Sequence, residues 1–426
     1  MSNKKERTAW YLYDWANSAY TVIIITLFFG PFLTMITKDK ADVNGNIPFL
    51  GFNVYYASLF AYLSSIAVML QIVLLPLIGS IADITGNKKK MFNLFAIMGS
   101  MATIMMFYIK DDYYIASFLF LFTNICFSIA NVLYNAFLND ISLESEREQI
   151  SSIGWGIGYL GGGLALLIVL ILFNYRFEIG LDDDLAIRLS MSFAGLWWAF
   201  FSIIPIKNLK GIEKDKKYGS KFKDYFLNIF NNFKSLSKFP NTLIFLIAYL
   251  FYNDGVQSVI TLSGQFGKDE LHLSMEILTK VILLVQVVAF FGSILFNYIS
   301  KKINSKNTLL LSLVIWILAL IYVYLFVYSE FDFYLMAIAV ALVMGGTQSI
   351  SRAVYSRNIP KGSEAEFFSI YELSEKGTSW IGPLAFAITM DFTHSYRLAI
   401  LSLVIFFVIG FLLLLKYQDK KTELAN

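Results

Sequence analysis

Long apolar runs, separated by short clusters of lysine, glycine and acidic residues, recur along the whole chain. A helix needs roughly 20 consecutive apolar residues to cross a bilayer. By that measure the pattern predicts twelve spans: 11–36, 55–81, 91–109, 113–138, 151–173, 188–206, 241–263, 276–299, 308–328, 332–356, 366–390 and 396–415. The expected architecture is an all-α membrane protein, with twelve transmembrane helices in two pseudo-symmetric six-helix bundles.

The polar breaks orient the spans. Lys4, Lys5 and Arg7, then Lys88 to Lys90, then Lys301, Lys302 and Lys306, then Lys416, Lys420 and Lys421 fall in alternate breaks. The intervening ones are acidic or mixed, as at Asp111-Asp112 and Asp182 to Asp184. Positive charge is retained on the cytoplasmic side, so both termini are expected there. Residues 207–240 form the longest break and divide the spans six and six. Within it Phe222, Phe226, Ile229, Phe230, Phe233 and Leu236 recur at steps of three and four beside lysines, which predicts an amphipathic helix on the membrane surface. The expected domains are therefore a bundle over 1–206, a linker over 207–240 and a second bundle over 241–426. Gly79-Ser80-Ile81 and Gly292-Ser293-Ile294 end corresponding spans before lysine clusters, as parallel repeats of a transporter would.

Composition narrows the class. The chain is 57% hydrophobic and 15% charged, with a mean hydropathy of +0.62, outside the range of soluble domains. The lone Cys126 rules out a disulfide framework, and a net charge of +3 gives no footprint for nucleic acid. His272 and His394 lie in separate predicted outer loops, so neither a metal site nor a cofactor is expected.

Polar residues inside apolar spans carry the candidate chemistry. Asp14-Trp15-Ala16-Asn17-Ser18 in the first span and Asp254-Gly255-Val256-Gln257-Ser258 in the seventh share the pattern Asp-x-x-(Asn/Gln)-Ser, whose Asp and amide occupy one helix face. Asp254 falls near the middle of its span and is the better candidate for binding. Asp14 lies nearer the cytoplasmic end, where complementing a helix N-terminus or closing an inner gate are both open to it. Gln257, Asn17, Tyr134 and Asn135 are candidates to contact a solute, although interhelical hydrogen bonding is the commoner use of such groups. In the eleventh span Glu372, Glu375 and Lys376 lie within about a turn. They either meet a zwitterionic or cationic group, take part in proton coupling, or form a structural ion pair.

The stretch Gly79-Ser80-Ile81-Ala82-Asp83-Ile84-Thr85-Gly86-Asn87-Lys88 resembles the signature loop of the major facilitator superfamily, matching it at Gly79, Asp83, Gly86 and Lys88 and departing at Ile84 and Asn87. Further motifs narrow the resemblance: Tyr13 to Ala19, Tyr134 to Leu138, Gly154 to Gly162, Tyr252 to Gly255 and Glu364 to Phe368 are similar to the vacuole-effluxer branch of that superfamily. The resemblance implies a secondary transporter, with Gly79, Asp83, Gly86 and Lys88 at an inner gate, where the position of Asp14 near the cytoplasmic end would add it, and amino acids as the plausible cargo. No nucleotide-binding motif points to ATP hydrolysis. No catalytic residue is expected. The implied partners are a small-molecule solute, the lipid bilayer and, as one option, a coupling proton, for a monomer in a bacterial cytoplasmic membrane. The rival expectation is a transporter-like receptor or scaffold that signals through the linker helix.

Overall fold

A computed structural model describes residues 4–85, 87–141, 147–210, 239–358 and 379–418. The chain is helical almost throughout. In order, the helices are α1 (Lys4–Lys38), α2 (Leu59–Thr85), α3 (Lys88–Tyr108), α4 (Tyr113–Ile141), α5 (Arg147–Tyr175) and α6 (Asp183–Asn208), then α7 (Pro240–Glu270), α8 (Met275–Ile303), α9 (Ser305–Phe326), α10 (Glu330–Asn358), α11 (Ile381–Thr393) and α12 (Tyr396–Lys416). Eleven of these are long and apolar enough to cross a membrane. The described part of α11 has 13 residues, too few to do so alone.

Two compact units divide the chain. One holds α1 to α6 together with Thr261–Leu283; the other holds the rest of α7 and α8, with α9 to α12. Within the first, α1 packs on α5 and α6, α2 on α4, and α3 on α4 and α6. Within the second, α9 packs on α10 and α12, and α11 on α12.

The same device closes one end of each unit. Arg188, in the first turns of α6, donates to the carbonyl of Phe107 in the last turn of α3 at 3.2 Å. Arg397, at the start of α12, donates to the carbonyls of Val323, Tyr324 and Val327 at the end of α9, at 3.2, 3.2 and 2.6 Å. Carbonyls of the last turn lack helical donors and carry the negative end of the helix dipole, so a guanidinium satisfies both demands. Ten residues further along, Trp198 on α6 lies against Gly99 of α3. At the corresponding place Phe407 on α12 stacks on Trp316 of α9 at 5.1 Å.

Two local features depart from the sequence expectation. The first helix begins at Lys4 rather than near residue 11 and includes a wide π-helical stretch, Tyr20–Phe28. Pro31 explains the widening, because it has no N–H for the carbonyl of Leu27, and the extra residue per turn relieves the clash. The expected loop after this helix contains a hairpin, β1 (Asn46–Phe49) with β2 (Phe52–Tyr55), turning through Leu50 and Gly51 at positive φ. Both Tyr113 and Tyr114 donate to the carbonyl of Pro48, at 2.8 and 2.7 Å, and fix the hairpin to the start of α4. Nearby, Lys40 pairs with Asp111 at 3.2 Å and holds its exposed carboxyl below the usual carboxylate range.

Replacing Arg397 by Ala leaves the three carbonyls without their donor and is expected to cost about 1–3 kcal/mol. Thermal melting in detergent should show the loss, with Arg397→Lys intermediate because an ammonium lacks the planar fork.

Candidate functional site

Both sequence motifs lie on helices that pass close to a glycine. On α1 the hydroxyl of Ser18 donates to the carbonyl of Asp14; on α7 that of Ser258 donates to the carbonyl of Asp254 at 2.7 Å. Opposite Asp14 stands Gly154 of α5, where a Cβ would fall 2.5 Å from Asp14 Oδ2 and 2.6 Å from the Trp10 ring. Opposite Asp254 stands Gly382 of α11, where a Cβ would fall 2.1 Å from Ser258 Oγ. In each half, therefore, an Asp-x-x-x-Ser turn is pressed against a neighbour that has no side chain to interpose.

The two carboxylates find different partners. Asp14 Oδ2 accepts from the hydroxyl of Tyr134 at 2.8 Å. Tyr134 is held in turn by Trp10, whose ring stacks on it at 4.6 Å and whose indole N–H donates to its carbonyl at 3.2 Å. Asp254, 1% exposed, accepts from the backbone N–H of Gly382 at 3.0 Å. Gly382 lies in the first turn of α11, so a carboxylate from α7 serves the N-terminus of that helix, where no side chain of α11 caps it. Pro383 follows, in a position where its missing N–H costs nothing.

The two acids lie at different distances along their helices. Asp14 lies ten residues beyond the start of α1 and Asp254 fourteen beyond the start of α7, which is about 15 Å and about 21 Å of helix. Buried apolar positions in α1 begin at Ala9, five residues before Asp14.

The amides form a second layer. Asn17, 8% exposed, donates to Asn131 Oδ1 of α4 at 2.8 Å. One level away Gln71 of α2 donates to Asn124 Oδ1 at 2.7 Å, and Tyr20 meets Thr123 at 2.9 Å. Asn135 is exposed and Gln257 half-buried, and neither makes a side-chain hydrogen bond among the described residues. Asn124, Asn131 and Gln71 were not singled out from sequence, although Asn124, Asn131 and Asn135 recur at steps of seven and four along one helix face.

At the lysine-rich end of the first unit, Lys88 forms an ion pair with Asp140 and donates to the carbonyl of Ala136 at 3.2 Å. Its ammonium also sits 4.4 Å from the Phe137 ring centre. Asp140 was another residue that the sequence reading passed over, since it follows its span by only two positions. Gly79 and Asp83 lie on the last turns of α2. Gly86, Glu372, Glu375, Lys376 and the linker helix lie outside the described residues. Among the described residues no three His, Cys, Asp or Glu side chains gather as a metal site would require.

Set against known proteins, residues 2–144 and 139–425 match the family model for vacuole effluxer Atg22-like proteins. The chain belongs to this family. Among Atg22-like relatives and their neighbours, an uncharacterised transporter of the major facilitator type from Bacillus subtilis, YxiO, is 32% identical over 96% of this chain and 94% of its own length. Autophagy-related protein 22 of Vanderwaltozyma polyspora is 26% identical over 92% and 87%. The fold is shared with the nucleoside transporter NupG, at a TM-score of 0.66 and 14% identity over 97% of each chain. A D-xylose-proton symporter gives 0.67 at 13% identity, over 98% and 97%. This Atg22-like chain is thus a multi-pass membrane transporter of the major facilitator type.

Gly382→Ala places a methyl on Ser258 Oγ and should destabilise the protein by about 1–3 kcal/mol. Melting measurements on the single and double variants test the contact: Ser258→Ala should recover most of the loss, and a purely local helix effect would not be recovered.

Proposed function

We propose that this chain moves a small polar solute, an amino acid or similar metabolite, across a bacterial cytoplasmic membrane by alternating access. In this reading the bundles 1–206 and 241–426 alternate as a monomer, the linker 207–240 connects them on the cytoplasmic face, and both termini lie on that side. Asp14, Gly79, Asp83, Gly86 and Lys88 serve the inner gate. Asp254, Gln257, Tyr134, Asn135 and Asn17 serve solute or coupling ion, as do Glu372, Glu375 and Lys376.

The observation that carries the proposal is the setting of Asp254. A carboxylate in the membrane-spanning part of a helix is costly and is kept where it is paired or used. The hydrogen-bond donors found for Asp254 among the described residues are neutral: the Gly382 N–H and the Ser258 hydroxyl. A group so placed can take up and release a proton without breaking an ion pair, which suits coupling of solute movement to a proton gradient. Family membership supports efflux of metabolites, and the fold is one that other proteins use for nucleosides and for D-xylose with protons.

Asp254→Asn keeps an oxygen for the Gly382 N–H and loses only the charge at the helix terminus, a change of about 0.3–1 kcal/mol. Purified protein should therefore melt nearly as the wild type does, while proteoliposomes lose the dependence of uptake on a pH gradient. Unchanged gradient-driven uptake at every pH would remove Asp254 from coupling.

A further inference from the structure

Helix α4 shows two partly exposed faces of opposite character. One carries Tyr114, Phe118, Leu121, Ile125, Val132 and Ala136 and is apolar, as a lipid-facing stripe must be. The other, about a quarter to a third of a turn away, carries Asn124, Asn131 and Asn135, of which the first two are half-buried and the third exposed. Facing hydrocarbon, the exposed Asn135 and the half-buried Asn131 would keep amide N–H groups with no partner among the described residues, so this second face meets water.

The amides on that face have a fixed polarity. Asn124 gives its Oδ1 to the amide of Gln71 at 2.7 Å, and Asn131 gives its Oδ1 to the amide of Asn17 at 2.8 Å. Both donors are buried, Gln71 at 4% and Asn17 at 8% exposure. What remains of Asn131 is its NH2 group, for which no hydrogen bond is found among the described residues, whereas Asn124 is also hydrogen-bonded to the Tyr20 hydroxyl. Seven residues separate the two asparagines, two turns and about 10 Å along one face.

We infer that Asn131 is a specificity-determining donor, oriented by Asn17, for an acceptor oxygen of the cargo: carboxylate, carbonyl or hydroxyl rather than ammonium. A neutral donor holds such an oxygen without a counter-charge that would have to be shed on release. This assignment rests on the transport reading above and gives it a substrate class.

The lone Cys126 is buried on the same helix, so a Cys126→Ala background allows single-cysteine labelling. In membrane vesicles permeable from both sides, Asn124→Cys and Asn131→Cys should react with a charged maleimide at least about tenfold faster than their depth-matched neighbours Ile125→Cys and Val132→Cys, because a thiol in hydrocarbon forms little thiolate. Equal rates overturn the aqueous face. Asn131→Asp still accepts from Asn17 but offers the cargo an acceptor instead of donors. In proteoliposomes tested with leucine, uridine and xylose, it should raise the half-saturation of each exchanged solute roughly three- to tenfold. Unchanged half-saturation overturns the donor assignment while leaving transport intact. A wild type that exchanges none of the three, with the cysteines labelled, overturns the transport reading and the donor assignment with it.

Discussion

In hydrocarbon a polar side chain must find its partner inside the protein, and in this chain glycine is what lets two helices come close enough to provide one. The hydrogen bond from the Gly382 N–H to Asp254 is the clearest case, since any side chain at 382 would strike Ser258 before the carboxylate reached the backbone. Gly154 and Gly158 do the same for Asp14 and Ser18. Much else follows from these approaches: the serine that bonds back to its own helix, the tyrosine that fills the remaining side of Asp14, and the direction in which each helix presents its amides.

Close approach also places the boundary of the first unit. Gly264, near the end of α7, lies where a Cβ would fall 2.1 Å from the carbonyl of Thr26, in the π-helical stretch of α1. The next residue, Gln265, is fully buried and donates to the hydroxyl of Thr34 at 2.8 Å and the carbonyl of Ala57 at 2.9 Å. The stretch Thr261–Leu283 thereby belongs with α1 to α6, although the helix that leads into it belongs elsewhere.

Hydropathy and lysine placement made most of the spans legible, because membrane insertion imposes a length and a charge rule that a single sequence can display. The start of α1 was misplaced because Lys4, Lys5 and Arg7 read as loop, whereas charged residues readily form the first turns of a helix that leaves the membrane. The hairpin at Asn46–Tyr55 was missed because eight residues of weakly alternating character carry little signal, and its Leu50-Gly51 turn lacks the usual asparagine. At the site, the Asp-x-x-(Asn/Gln)-Ser repeat was visible as a pattern. Its partners were not, since Gly382, Gln71, Asn131 and Asp140 acquire meaning only when another helix is laid beside them.

The arginines at the ends of α3 and α9 carry one more consequence. Arg188 and Arg397 do one task in two settings, the first with Asp184 also in reach at 2.9 Å, the second with three carbonyls. The molecule thus carries its own reference measurement. Whatever separates the two arginines in their contribution reports what differs around a shared contact, with solvent, temperature and membrane held identical by being the same molecule.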